Sequence, residues 1–190
     1  MRKFGSIALF LLLALTACDR FRATERERLA LLGPSCPPSG VLADATAVSK
    51  LMPGSPLPDI QDPTNVIYSA EISRPVLECD FDREAITLSL DMSFTIRALR
   101  GTVGAADPPL EFFVSIIDLD ENVLVKNVYR YQPNFGNNRA VQWTQNVRDL
   151  VVPMEKDTRP GDYEILIGFQ LTPDELAYNR LPKPSPVASR

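Results

Sequence analysis

No histidine occurs anywhere in the 190 residues. Its absence removes Ser-His-Asp and Cys-His nucleophilic machinery and the commonest zinc ligand. A phosphate-cradling loop is missing too. "RGTVGAADPP" (100–109) has two glycines but lacks the lysine and the strand–loop–helix setting such loops need. Basic charge is in short supply, with 20 Lys and Arg against 24 Asp and Glu. An acidic balance argues against nucleic acid as a partner. Long apolar runs are absent except for one, which begins at Phe4.

That run follows Arg2 and Lys3 and extends to Leu15. Basic residues followed by roughly 7–15 apolar ones form a secretory signal, and the stretch is short for a bilayer span. An ordinary signal would end in Ala-x-Ala. This one ends Leu15-Thr16-Ala17-Cys18, which resembles the lipobox of bacterial lipoproteins. The resemblance implies a signal peptide over residues 1–17, cleavage before Cys18, and diacylglycerol on the Cys18 thiol, with the new amine acylated as well. Each buried methylene contributes ~0.8 kcal/mol, so two or three chains (palmitate or similar) anchor firmly where one does not. The partner implied is a membrane, held through N-terminal lipid with the domain facing the periplasm. Asp19 resembles an inner-membrane retention signal that is specific to one sorting system, so inner versus outer membrane stays open.

Removing the leader leaves an acidic body between basic ends. Residues 19–33 carry four arginines against Asp19, Glu25 and Glu27, and residues 180–190 carry Arg180, Lys183 and Arg190 with no acid. Such ends read as solvated tails, or as charges near anionic lipid or wall polymer at ~1 kcal/mol each. With Cys18 given to lipid, Cys36 and Cys79 remain as an even pair. In an oxidising compartment they are expected to form one disulfide, with Cys79 inside the fold and Cys36 pinning the N-terminal segment across it. Neither has the Cys-x-x-Cys spacing or the context of a redox thiol.

Along the chain, "DRFRATERERLALLG" (19–33) fits a membrane tether over 18–35 or a short helix opened by a Thr24–Glu27 capping box. "VLADATAVSKLMPG" predicts a short helix from Asp44 to the Pro53-Gly54 stop, and residues 53–65 are loop. From Val66 the period changes to two. In "AITLSLDMSFTIR", Ile86, Leu88, Leu90, Met92, Phe94 and Ile96 alternate with polar residues, the pattern of a half-buried antiparallel strand. "VIYSAEIS", "PVLECDF", "EFFVSIID", "NVLVKNVYRY", "AVQWTQNV" and "DYEILIGFQL" read as further strands. Thr172 as N-cap, Pro173 at N1 and Glu175 at N3 start a final short helix. Residues 181–190, with three prolines, read as a disordered tail.

About seven antiparallel strands with short peripheral helices predict an all-β domain over 36–180: a two-sheet sandwich of immunoglobulin or fibronectin type. "RPGDYEI" (159–165), a Pro-Gly turn into a strand opening on tyrosine, resembles the late-strand corner of such sandwiches. The Cys–Trp–Cys spacing of antibody domains is not there. The body from "CPPSGVLADA" to "GFQLTPDELAYNR" is similar to uncharacterised envelope lipoproteins of alphaproteobacteria, a resemblance that implies no activity.

Candidate chemistry falls to carboxylates. Asp118, Asp120 and Asn122 in "DLDEN" start like a calcium loop but lack its sixth-position glycine and distant glutamate, so a polar hairpin turn is expected. Asp80, Asp82 and Glu84 fall on an outward face or in a turn. General acid–base work would need acids with raised pKa in a cleft, and the strand pattern instead sends acids outward. No pocket gathering two acids with a basic or amide partner is expected, and one lined by Asp80, Asp82, Asp118 or Asp120 would reopen the enzyme reading. Trp143 aligns with Val141 and Val147 and is assigned to the core, while Tyr129 and Tyr131 are left open. The expectation is a non-catalytic envelope lipoprotein presenting a sandwich for protein binding or assembly, without cofactor, metal or identified small-molecule substrate. The alternatives are a structural component touching wall polymer or lipid, or a calcium-binding module.

Overall fold

The computed structural model describes residues 36–82, 84–103 and 107–183. The signal peptide, Cys18 and the tether over 18–35 lie outside the described residues, as does the tail from 184 onward. Nine strands form two sheets packed face to face. In chain order they are β1 (Ser39–Val41), β2 (Ala47–Leu51), β3 (Val66–Ile72), β4 (Val76–Asp82), β5 (Thr87–Arg100), β6 (Leu110–Asp118), β7 (Val123–Tyr131), β8 (Ala140–Pro153) and β9 (Tyr163–Phe169), followed by helix α1 (Pro173–Asn179). One sheet runs β1-β9-β6-β7, antiparallel except that β1 lies parallel to β9. The other is built on β5, with β8 along one side and β3 and β4 sharing the other. The predicted all-β sandwich is what the chain forms.

The alternation in β5 explains the core. Leu88, Leu90, Met92, Phe94, Ile96 and Ala98 are all buried, whereas Ser89, Asp91, Arg97 and Leu99 are exposed. Facing them are Phe112, Val114 and Ile116 of β6 and Ile165, Ile167 and Phe169 of β9, and Phe94 meets Phe112 edge-on at 5.4 Å. Period-two burial on both sheets interdigitates two apolar faces, the basis of sandwich stability. Ile86 packs against the core as the alternation predicts, but it precedes the strand. It lies in the β4–β5 turn, half-buried, with φ of 54°.

Two differences from the sequence reading have local causes. The helix predicted over 44–52 is a single 3-10 turn, Ala43–Ala45, followed by β2. Thr46 Oγ1 donates back to the carbonyls of Leu42 and Ala43, and β2 supplies the ladder partner for the edge of β3 that faces away from β5. The sixth predicted strand, ending at Val147, runs on to Pro153 as part of β8. A bulge at Arg148-Asp149 shifts the period by one, so inward Val147 is followed by inward Leu150 and Val152. Asp91 Oδ1 accepts from the Asp149 amide at 3.0 Å and holds the extra residue, whose φ is 55°.

The disulfide is formed, with Cys36 and Cys79 at a Cα separation of 5.7 Å. It joins the segment entering β1 on one sheet to β4 on the other. Cys79 points inward opposite Leu90 but is only half-buried, and Cys36 is exposed, so the bond closes the rim of the sandwich rather than crossing its centre.

Helix α1 forms as predicted. Thr172 Oγ1 accepts from the Glu175 amide at 3.2 Å, and Glu175 Oε2 accepts from the Thr172 amide at 2.9 Å, a reciprocal capping box. Glu175 is buried, and its other oxygen takes Lys50 Nζ of β2 at 2.8 Å. That pairing lets a carboxylate sit inside without an orphaned charge.

Candidate functional site

At the end of the sandwich where β6 turns into β7, a groove of about 460 Å³ opens between that turn and the β8–β9 connection. Its floor is apolar, built from Val125 of β7, Val152 of β8 and Tyr163 of β9. Leu119 and Leu124 stand at its mouth, 75% and 47% exposed. Four acids rim it, Asp118 and Asp120 from one side and Glu155 and Asp162 from the other. Among the described residues no lysine or arginine lines it.

Each wall is fixed by local hydrogen bonds. The β6–β7 turn closes on Asp118, whose Oδ1 accepts from the amides of Asp120 at 2.9 Å and Asn122 at 2.8 Å, while Oδ2 accepts from Asn122 Nδ2 at 2.9 Å. The Asn122 side chain, with help from these backbone amides, holds the Asp118 carboxyl below the usual carboxylate range. "DLDEN" is therefore the hairpin turn expected, with its first carboxylate spent on the backbone. The opposite wall is the corner expected from "RPGDYEI". Pro160–Asp162 makes a 3-10 turn into β9, and the Tyr163 hydroxyl accepts from the Glu155 amide at 3.2 Å and contacts Thr158 Oγ1 at 3.0 Å. Tyr163→Phe is expected to lower stability by about 1–2 kcal/mol, because the Glu155 amide loses its acceptor. An unchanged thermal midpoint would show that the corner contributes nothing.

The groove bears on the expectation of no pocket gathering two acids with a basic or amide partner: Asp118 and Asp120 do share it with Glu155 and Asp162, while its lining includes neither a basic nor an amide side chain. The two acid pairs come from segments more than thirty residues apart, brought together by the packing of β6–β7 beside β8–β9, and strand alternation carries no information about turns. Asp118 itself lacks the character of a general acid. Asn122, the amide near these acids, is bonded to Asp118, and the resulting shift is downward, opposite to the raised pKa that proton donation near neutral pH requires. Among the described residues no group of three or more His, Cys, Asp or Glu side chains is arranged to hold a metal ion.

The other nominated residues do not join this site. Asp80 and Asp82 are exposed on the outer side of β4, and Asp82 Oδ1 accepts from the amides of Glu84 and Ala85 at 2.8 and 3.0 Å as a turn residue. Trp143 packs against the core as assigned and stacks on Tyr131 at 4.4 Å, closing the side where β7 and β8 are the sheet edges. Tyr129 stacks inward on Phe112 at 5.1 Å. These aromatics are structural.

A hollow of about 590 Å³ between β2–β3 and α1 was not foreseen, and its side chains on the helix side are engaged in hydrogen bonds. Asn179 Nδ2 donates to the carbonyl of Ala47 at 2.7 Å, Gln61 Nε2 to those of Tyr178 and Asn179, and the Tyr178 hydroxyl to that of Asp62. These bonds fasten the helix to the sheet, and the hollow is the seam they leave. No protein-family description matches the chain, and neither does any curated protein or solved structure.

Proposed function

We propose that this chain is a non-catalytic lipoprotein of the bacterial cell envelope, anchored by lipid on Cys18 and presenting its sandwich toward the periplasm for protein binding or assembly. The observation that carries the reading is Leu15-Thr16-Ala17-Cys18 at the end of an apolar leader. The Cys36–Cys79 disulfide supports it, since such bonds persist in oxidising compartments. So does the fold, in which Asp82 and Asp118 are spent on turns and an apolar-floored groove stays open. Among the described residues no helix is long and apolar enough to cross a membrane. The three basic residues over 180–190 favour, as a second reading, a structural component touching wall polymer or lipid. Crosslinking in intact envelopes separates the two, because discrete protein adducts favour binding and polymer-only adducts favour structure.

Cys18→Ser is the direct test of the anchor. The variant is expected to lose acylation entirely and to accumulate uncut, as read by intact-mass spectrometry of envelope fractions. An unmodified native chain starting at residue 18 or later would overturn the reading.

A further inference from the structure

We propose that the groove between the β6–β7 turn and the β8–β9 corner is the docking site for a basic, aliphatic peptide segment of a partner protein. The proposal deepens the binding reading above and rests on it. Two independent features select this occupant. The first is exposed apolar surface at a concave site. Leu119 and Leu124 project at the mouth of a groove floored by Val125, Val152 and Tyr163, and no element of the described residues covers them. Most large side chains of this sandwich are buried, so two exposed leucines at one cavity need a partner to leave water.

The second feature is charge complementarity. Asp118, Asp120, Glu155 and Asp162 rim the groove with no basic residue lining it. Lysine and arginine fit both features at once, because their methylene stems lie on apolar surface while the head reaches an acid. A bare metal ion would use the acids and leave the leucines wet, and it would need ligands converged on one point, which the described residues do not provide. An acidic or purely apolar peptide would leave the carboxylates desolvated without a partner. Lys126 and Arg130 farther along β7 repel the same cationic segment and confine it to the Asp118 end. Asp118 is committed to its turn, so Asp120 and Glu155, whose carboxylates accept no hydrogen bond among the described residues, are the acids free to take the cation.

The test uses the full chain in a neutral detergent, with the Cys18→Ser chain in parallel, so that failure of the anchor and failure of the groove are read separately. The probe is a short dye-labelled peptide of alternating lysine and leucine, followed by fluorescence anisotropy. The expected result is saturable binding that is equal in both chains. It should weaken about tenfold in the Asp120→Asn/Glu155→Gln variant, from the sum of two exposed ion pairs. Leu124→Ser should weaken it also, whereas Glu71→Gln on the other sheet should leave it unchanged. Binding should be largely lost at 1 M ionic strength, where the screening length is about 3 Å. Equal binding of a glutamate–leucine or a lysine–serine peptide would overturn the proposal, as would a Glu71→Gln effect as large as that of the groove acids. No detectable binding of the lysine–leucine peptide would overturn it as well.

Discussion

Replacing Cys36 and Cys79 together by serine is expected to lower the stability of the domain by about 4 kcal/mol, the chain-entropy value for a loop closed across 43 residues. For a domain of this size that corresponds to a fall in melting temperature of roughly 10 °C. The two cysteines belong to different sheets, so the unfolded chain regains the freedom to separate the β1 segment from β4. Calorimetry of the variant and of the reduced native protein should give the same midpoint, because both remove one constraint and leave the core untouched. A fall of less than about 2 °C in both would mean that the constraint contributes little to the folding equilibrium.

Phe112→Ala is expected to be comparably damaging, with a loss of about 3–5 kcal/mol. Phe112 is 1% exposed and is the point where three layers of contact meet. It takes the edge of Phe94 from the opposite sheet and stacks on Tyr129 of the neighbouring strand. Truncation removes the transfer free energy of the ring and leaves a cavity between two sheets that cannot collapse independently. Val128→Ala on the outer face of β7, where the residue is 52% exposed, should change stability by less than about 0.5 kcal/mol. Urea unfolding of the pair reads the contrast directly. Similar midpoints for the two would contradict the assignment of faces in β6 and β7.

Where one local rule governs a segment, its structure is legible from the sequence. β5 alternates because one face is buried and the other wet, and α1 carries its own start signal in Thr172, Pro173 and Glu175. The disulfide follows from parity, and the tyrosine corner follows from a turn and the residue after it. Segments governed by partners elsewhere are not legible in this way. Ala47–Leu51 has apolar spacing compatible with a helix, and the unpaired edge of β3 decides for a strand. The bulge at Asp149 hides the second half of β8 by resetting the period. The candidate groove is the furthest case. Asp118 and Asp120 are visible in "DLDEN", but Glu155 and Asp162 become their neighbours only through packing of nonconsecutive strands. The one sequence signal for that approach is Tyr163, which ties the Glu155 loop back to the start of β9.

The parallel pairing of β1 with β9 sets the order in which the domain can be finished. Ser39 is matched with Ile165, so the earliest strand of the fold has no ladder until the last one has been made. β9 also sits between β1 and β6, and a chain still growing therefore holds an incomplete sheet with two open flanks. As the chain emerges N-terminus first, β4 and β5 can zip as one local hairpin and β6 and β7 as another, but β1 and β6 gain β9 only after the Tyr163 corner has emerged. Such dependence on distant pairing slows folding and exposes unsatisfied edges in the meantime. A growing chain of this kind is the stage at which a holding chaperone would have most to protect.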